Sequence, residues 1–160
     1  TQGVSSAASD VYKRQECTHY VTLRLFGNAR NNPHDELVCD FIGFCGGIGR
    51  FDAALFLRGM GLEALPDFRE GGRLQHYAPA LSPSAFAVLC ALVARAAVNL
   101  ERFDLERPRL DNGMLDEVAV VATLCGVSLT EMVAEDGMAR LLEAHASACE
   151  AVRGANLSPP

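Results

Sequence analysis

The histidines and cysteines of this chain carry its clearest potential for metal chemistry. His145 and Cys149 stand four residues apart, a spacing that places two ligands on one face of a helix. Two ligands do not complete a site, and no CxxC or second paired motif accompanies them. The other candidates are scattered along the chain: Cys17, His19, His34 and His76. We therefore predict no metal or cofactor site and expect the pair to lie on the apolar stripe of the last helix.

The acidic residues offer a second kind of chemistry, because paired carboxylates can act as general acid and base. Adjacent acidic pairs occur at three places: Asp35-Glu36, Asp116-Glu117 and Glu135-Asp136. All three fall at or near predicted helix starts, where capping and the helix dipole explain them. No nucleophile can be matched with a base from spacing alone. The sequence therefore predicts no catalytic residue.

Residues 43–49 contain four glycines, a proportion that is also found in phosphate-binding loops. Such a loop follows a strand, opens a helix and usually carries a Lys followed by Ser or Thr. Here a helical pattern precedes the glycines and no lysine follows them. We interpret the cluster as a helix end that allows close packing between helices.

Four arginines are the candidate nucleic-acid contacts: Arg102, Arg107, Arg109 and Arg140. Three of them fall at the end of a long predicted helix, where they would suit the positioning of phosphates. Acidic residues interleave with them, and that pattern favours a solvated face of ion pairs. Binding of duplex DNA would require the four guanidinium groups to converge on one face.

A segment near the C-terminal end has the spacing of a helix corner. Ala122 and Gly126 stand four apart, and Met132 follows the glycine by six. In such corners a small residue lets two helices approach, a glycine takes the turn and an apolar residue fills the angle. Residues 115–142 resemble the C-terminal helices of Cro/C1-type helix-turn-helix domains. The resemblance implies a bundle-packing motif, with a DNA-binding repressor as the alternative. The residues exposed after the turn are acidic, and these would repel phosphate.

Composition places the chain among acidic proteins of one domain. Its 160 residues carry a net charge of −6, which argues against a general nucleic-acid coat. A chain of this length buries a single core without help from disulfides or metals. The longest uncharged apolar run, residues 85–94, is far shorter than the roughly 20 residues that span a bilayer. Most of the six cysteines lie in apolar stretches, so we expect reduced thiols, a cytoplasmic location and no membrane partner.

Residues 1–15 differ in character from the rest of the chain. Residues 4–15, VSSAASDVYKRQ, resemble the translated adapter-type leader that recurs at the ends of reading frames from shotgun assemblies. Lys13 is the only lysine in the sequence, and the remainder uses arginine alone, as GC-rich bacterial genomes favour. We predict a non-native, disordered leader, an effective start near Glu16 and a missing native N-terminus.

Residues 16–154 are predicted to form one mainly α-helical domain of five to six helices, followed by a frayed tail at 155–160. The strongest helix covers 82–105, is apolar all round in its first half and should be the central helix. The other predicted helices are shorter: 32–45, 50–58, 115–124, 128–135 and 136–153. Residues 59–80 are expected to be a long loop or crossover.

Residues 20–26 alternate between apolar and polar side chains, which is the periodicity of a strand. No partner strand follows. The segment is therefore an orphan edge strand, a remnant of a larger sheet, or the first turn of a helix.

The acidic surface and the helix corner favour a non-enzymatic regulatory or adaptor module that works through association with a protein partner or with itself. A helix-turn-helix DNA-binding regulator is the first alternative. A small metal- or thiol-dependent enzyme is the second. The apolar central helix would also suit a dimer core.

Overall fold

A computed structural model describes residues 2–27 and 32–156. The described residues form seven α-helices and no strand, which confirms the predicted mainly α fold. The helices run as follows: α1 Gln2–Val21, α2 Pro33–Ile48, α3 Ala53–Met60, α4 Pro83–Glu106, α5 Gly113–Gly126, α6 Leu129–Met132 and α7 Gly137–Asn156. A π-helical turn, Thr22–Phe26, follows α1, and a 3₁₀ helix, Arg73–Tyr77, precedes α4.

Polar side chains cap the N-termini of helices at positions that the sequence predicts. The side chain of Asn32 accepts a hydrogen bond from the backbone N–H of His34 at 2.9 Å, and Pro33 follows at the first helical position. Ser128 and Glu131 form a reciprocal capping box that starts α6. These local interactions satisfy backbone donors that have no partner inside the helix.

The N-terminal part differs from the expectation. Residues 2–15, expected to be disordered, are helical and form most of α1, which packs along α2. The predicted strand at residues 20–26 is wrong, because Thr22–Phe26 continues the chain as a π-helical turn. An isolated strand would leave its backbone groups unpaired, whereas a helical turn satisfies them locally. The segment is helical, as the third alternative proposed, but it lies at the end of α1 and in the turn that follows it, and is not the first turn of a helix.

The glycine cluster lies inside and at the end of α2. A Cβ on Gly43 would lie 2.7 Å from Gln15 Cγ and 3.1 Å from the carbonyl oxygen of Val11 in α1. Gly49 ends the helix with φ of 84°, and its N–H donates to the carbonyl of Cys45 at 3.1 Å. The interpretation of the cluster as a site of close helix packing is confirmed.

Aromatic rings form the centre of the core. Phe41 of α2 stacks on Phe51 with ring centroids 5.1 Å apart, and contacts Phe103 of α4 at 6.1 Å. Phe56 of α3 packs on Phe51 at 5.7 Å. Offset and edge-on ring contacts of this kind add to the stabilisation from burial. They fix α2, α3 and α4 relative to one another.

The central helix α4 is buried on one side only. Its C-terminal half buries Ala96, Ala97 and Leu100, whereas Val88 is 60% exposed. Among the described residues, α4 is also the one helix whose length and composition would let it cross a membrane, and 28% of its most apolar window is buried. The prediction of a helix surrounded by protein therefore fails for its N-terminal half.

The predicted long loop, residues 59–80, folds back onto the helices. Gly61 and Gly72 meet so closely that a Cβ on Gly61 would lie 2.8 Å from the Cα of Gly72. Gly61 also has φ of 85°, which side chains rarely adopt. Leu74 in the 3₁₀ helix is fully buried. This fold-back carries Arg73 and Tyr77 to the first turns of α2.

Candidate metal site

Polar side chains cluster where the end of α1 meets the first turns of α2. Asp35, Glu36 and Asp40 are buried on α2, although carboxylates are rarely buried without a partner. Asp35 and Cys39 stand four residues apart and so lie one above the other on the same helix face. His19 reaches this face from the last turn of α1.

His19, Asp35 and Cys39 bring three different ligand types together. The Nδ1 atom of His19 lies 2.8 Å from Asp35 Oδ2 and 3.1 Å from Cys39 Sγ. The three potential ligand atoms all lie within 4.8 Å of one another. We call these three residues the HDC cluster. It is the one group of three or more metal-ligating side chains found among the described residues.

Further hydrogen bonds hold the HDC cluster in place. The hydroxyl of Thr22 donates to Asp35 Oδ1 at 2.7 Å, which fixes the carboxylate on the side away from His19. The Nε2 atom of His19 lies 3.7 Å from Glu36 Oε1. Partners of this kind orient ligand side chains in known metal sites and determine which imidazole nitrogen faces the ion.

The protonation of the cluster follows from its surroundings. The hydrogen bond to Asp35 raises the pKa of His19, with Glu36 acting in the same direction and burial opposing them. Burial raises the pKa of the Cys39 thiol well above its usual range, and the neighbouring carboxylates of Asp35, Glu36 and Asp40 raise it further. Without an ion, the cluster holds a thiol next to an imidazole whose hydrogen bond to Asp35 favours its protonated form.

A polar cleft of about 530 Å³ opens beside the HDC cluster. His19, Glu36, Arg73 and Tyr77 line it. Arg73 forms an ion pair with Asp40, whose pKa burial raises to about 6 while Arg73 opposes the rise. Burial also raises the pKa of Tyr77, which hydrogen-bonds to Glu36. The cleft gives solvent a path to the imidazole, whose side chain is 24% exposed.

The donor set fits a divalent ion of the zinc class. Imidazole nitrogen, carboxylate oxygen and thiolate sulfur are the three ligand types that zinc uses, at about 2.0–2.3 Å. A tetrahedral ion at those lengths needs ligand atoms roughly 3.3–3.7 Å apart. The shortest pairs here would spread by about half an ångström, a movement within the range of side-chain rotation. Three protein ligands leave a fourth position for water or another ligand.

The predicted nucleic-acid residues lie elsewhere and have acidic partners. Arg107 is buried, and its Nη1 donates to both oxygens of Asp116 at 3.0 and 2.9 Å. Arg109 donates to Asp104 Oδ1 at 2.9 Å, and Arg107 Nε lies 3.5 Å from the same oxygen. The structure thus brings these two arginines together around Asp104, where they join the end of α4 to the start of α5.

The two remaining arginines form ion pairs within their own helices. Arg102 pairs with Glu106 at 3.5 Å on α4, and Arg140 pairs with Asp136 at 2.8 Å at the start of α7. Each pair joins residues four apart in sequence. The predicted ion-pair pattern agrees with these contacts, except that Arg107 is buried instead of solvated.

The predicted pair of the last helix lies in the core. His145 is fully buried, its Nε2 donates to the carbonyl of Pro108 at 2.9 Å, and its Nδ1 lies 3.1 Å from Thr123 Oγ1. Cys149 Sγ lies 3.5 Å from Nε2. Phe103 meets the imidazole edge-on at 5.4 Å between ring centroids. These contacts agree with the prediction that the pair packs inside the bundle.

The helix corner contains only a short second helix. After α5, the helix α6 runs for four residues, Leu129–Met132, and Met132 is fully buried in the angle as predicted. A recognition helix lies along the major groove over several turns. One helical turn, ending beside the acidic residues Glu135 and Asp136, offers no such element.

Sequence reasoning missed the HDC cluster although part of its signal was visible. Asp40 interrupts an otherwise apolar run on α2, and a charged residue at such a position indicates a buried polar site. The spacing of Asp35 and Cys39 was equally available. The contribution of His19 was not, because it depends on how α1 packs against α2.

The chain belongs to a family of unknown function, DUF7005, whose sequence profile matches residues 5–136. No curated protein and no solved structure shows significant similarity to it.

Proposed function

We propose that this DUF7005 protein is a non-enzymatic regulatory module that binds one divalent transition-metal ion of the zinc class. The ligands are His19 Nδ1, Asp35 Oδ2 and Cys39 Sγ. The observation that carries the proposal is the convergence of these three atoms within 4.8 Å at the junction of α1 and α2.

The presence of the cysteine favours a metal site over a simple hydrogen-bonded contact between helices. His19 and Asp35 alone would join α1 to α2 through a charge-assisted hydrogen bond of 2.8 Å. A thiol adds little to such a contact, because it is a weak donor and a weak acceptor. As a thiolate on a metal ion, the same sulfur is a strong ligand.

The surrounding carboxylates also support a cation. Glu36 and Asp40 lie on the same two turns of α2 as the proposed ligands and are buried. Burial is the main cause of the raised pKa of Cys39, and the charges of Asp35, Glu36 and Asp40 oppose thiolate formation further. A bound divalent ion supplies the positive charge that reverses this effect, since coordination deprotonates a thiol outright.

A regulatory role follows from the position of the site. One ligand lies on α1 and two lie on α2, so bound metal would link the two helices. Binding to the folded state alone adds its free energy to stability. The chain would therefore hold α1 firmly against α2 when the ion is present and less firmly when it is absent. The cleft beside His19 would change shape with that switch.

The DNA-binding alternative has less support. Each of the four candidate arginines contacts a carboxylate, and Arg107 is buried in its ion pair. Release of Arg107 and Arg109 to phosphates would break the contacts that join α4 to α5.

Titration with Co²⁺ tests the proposal on the full chain. Co²⁺ replaces zinc in such sites and gives a near-ultraviolet charge-transfer band when a thiolate is among the ligands. We expect the band to appear with wild-type protein and saturate at one ion per chain. Replacement of Cys39→Ser should weaken binding by at least about 100-fold and remove the band.

A matched control separates ligand loss from loss of a core thiol. Cys90 is also buried, at 3% exposure, but belongs to the hydrophobic core and not to the HDC cluster. The Cys90→Ser variant should retain the wild-type band and affinity. Equal behaviour of the two variants would rule out Cys39 as a ligand.

A further inference from the structure

A cavity separates α1 from α5. Both helices pack on α2, and a space of about 650 Å³ remains between them. That volume falls in the range of roughly 300–1,000 Å³ that is typical of sites for small molecules. We call this space the α1–α5 cavity, and it shares no lining residue with the polar cleft beside His19. Its lining includes Val21, Phe41, Ile42, Arg109, Met114 and Val118.

The walls of the α1–α5 cavity are largely apolar. Phe41 and Ile42 of α2 are buried and form part of the wall. Val21, Met114 and Val118 also line the cavity but are 37%, 77% and 50% exposed. Among the described residues, Met114 is the most exposed large apolar side chain. Since a methionine adapts its shape to what it contacts, these side chains favour an apolar molecule that covers them.

The α1–α5 cavity is positively charged where α5 begins. Arg109 lines it with a side chain that is 53% exposed. Its hydrogen bonds to described residues come from Nη2, which donates to Asp104 Oδ1 at 2.9 Å and to the Asp104 carbonyl at 3.3 Å. Asp104 is buried and does not line the cavity, so a ligand meets the guanidinium instead of the carboxylate. A guanidinium has five N–H donors, and those of Nε and Nη1 are left for a ligand.

Two further features favour an anion at this end of the cavity. Gly113, the first residue of α5, lines it, and the dipole of a helix favours negative charge at its N-terminus. The acidic side chains in the lining are already paired. Asp116 accepts hydrogen bonds from Arg107 with both oxygens, and Glu117 lies 2.7 Å from Arg14. An anion therefore meets no unpaired carboxylate among the described lining residues.

We propose that the α1–α5 cavity binds a small-molecule monocarboxylate with an apolar body, such as a medium-chain fatty acid. The carboxylate pairs with Arg109, since a guanidinium and a carboxylate form two parallel hydrogen bonds. The chain lies against Met114 and Val118 and removes them from water. A phosphate monoester fits less well, because its charge of about −2 exceeds that of one guanidinium. None of the proposed metal ligands takes part.

Isothermal titration calorimetry with decanoate tests the site on the full chain. We expect one decanoate to bind per chain with a Kd of about 100 µM or lower. Decanol, which has the same chain without the carboxylate, should bind at least about 10-fold more weakly. Arg109→Gln should weaken the binding of decanoate by a similar factor and leave the binding of decanol unchanged.

Arg102→Gln is the matched control. Arg102 is 57% exposed and pairs with the acidic side chain of Glu106, but it does not line the cavity. This variant should bind decanoate like wild type. Because Arg109 also contacts Asp104, the Tm of each variant is measured by circular dichroism, and binding is compared well below the lowest Tm.

Val118→Glu tests the apolar wall and leaves Arg109 in place. Val118 is 50% exposed, so the helical circular dichroism should stay unchanged. A carboxylate at this position should weaken the binding of both decanoate and decanol by at least about 10-fold. Wild-type protein that shows no saturable binding of decanoate would overturn the proposal. Equal affinity for decanoate and decanol would also overturn it, as would an equal response of Arg109→Gln and Arg102→Gln.

Discussion

The ion pair between Arg107 and Asp116 shows at the scale of single residues why a charge pattern in sequence does not reveal its use. Both side chains are buried, and Asp116 also accepts the backbone N–H of Leu110 at 2.8 Å. In the sequence, Arg107 is one of four equivalent candidate surface cations. In the fold, its ion pairs connect α4 to α5. Loss of this ion pair should therefore first lower the free energy of unfolding.

Replacement of Asp116→Asn should lower the free energy of unfolding by about 1–3 kcal/mol, because it removes the hydrogen-bonded counter-ion of buried Arg107 and leaves only Asp104, 3.5 Å from its Nε. Urea denaturation measures the change. The matched control is Glu106→Gln, which removes the partner of the exposed Arg102 and should cost less than about 1 kcal/mol. Equal, small effects of the two substitutions would mean that Arg107 is solvated.

His145 predicts a specific pH dependence. Burial lowers the pKa of its imidazole below the usual 6.5, while its hydrogen bond to Pro108 opposes the change. The unfolded chain therefore binds a proton at a higher pH than the folded chain, so stability falls as pH drops below about 6.5. Urea denaturation of wild type and His145→Gln between pH 7 and pH 5 should give a steeper loss for wild type. Parallel curves would contradict the lowered pKa.

At the scale of helices and turns, local signals were sufficient where the chain is regular. Asparagine or serine followed by proline marked the starts of α2 and α4, since capping depends only on residues within one turn. The same locality explains the failure at residues 20–26, where alternation over a few residues is compatible with either a strand or a helical turn. The helical turn satisfies its backbone groups locally, and Thr22 also contacts Asp35, thirteen residues away, which no local pattern reveals.

Substitution of two glycines tests whether α1 packs on α2. Gly59 lies in α3 with nothing within 4 Å of an added Cβ, so Gly59→Ala should stabilise the chain by about 0.5–1 kcal/mol through helix propensity. Gly43→Ala should lose that gain and lower the Tm, because its Cβ would meet the backbone of Val11. Thermal unfolding by circular dichroism measures both.

An equal gain in both variants would show that α1 does not pack on α2 at Gly43. That result would also support the interpretation of residues 1–15 as a leader foreign to the protein, which stays a prediction. His19, Asp35 and Cys39 all follow Glu16, but the approach of His19 to Asp35 and Cys39 requires the same packing of α1 on α2.

At the scale of the whole molecule, the two proposed sites are separate. The HDC cluster and the α1–α5 cavity share no residue, although α1 and α2 contribute to both. The Arg109→Gln variant should therefore bind Co²⁺ like wild type, and Cys39→Ser should still bind decanoate. Loss of Co²⁺ binding in Arg109→Gln would indicate that the two sites are coupled.

Neither site could be derived from the sequence as a whole. The cluster needs a contact between residues 19 and 39, on two helices whose relative position depends on glycines in α2. The α1–α5 cavity needs knowledge of the space that remains when both helices pack on α2. The sequence of a helix that is apolar on all sides does not show whether a given side faces the core, a partner or solvent.

The content of zinc in the full chain tests the central claim most directly. Purified protein is dialysed against Zn²⁺, then against metal-free buffer, and its zinc is measured by inductively coupled plasma mass spectrometry. The account predicts one Zn²⁺ per chain in wild type and in Cys90→Ser, and none retained in Cys39→Ser or His19→Gln. Wild-type protein that retains no zinc, or variants that all retain it equally, would contradict a metal site at His19, Asp35 and Cys39.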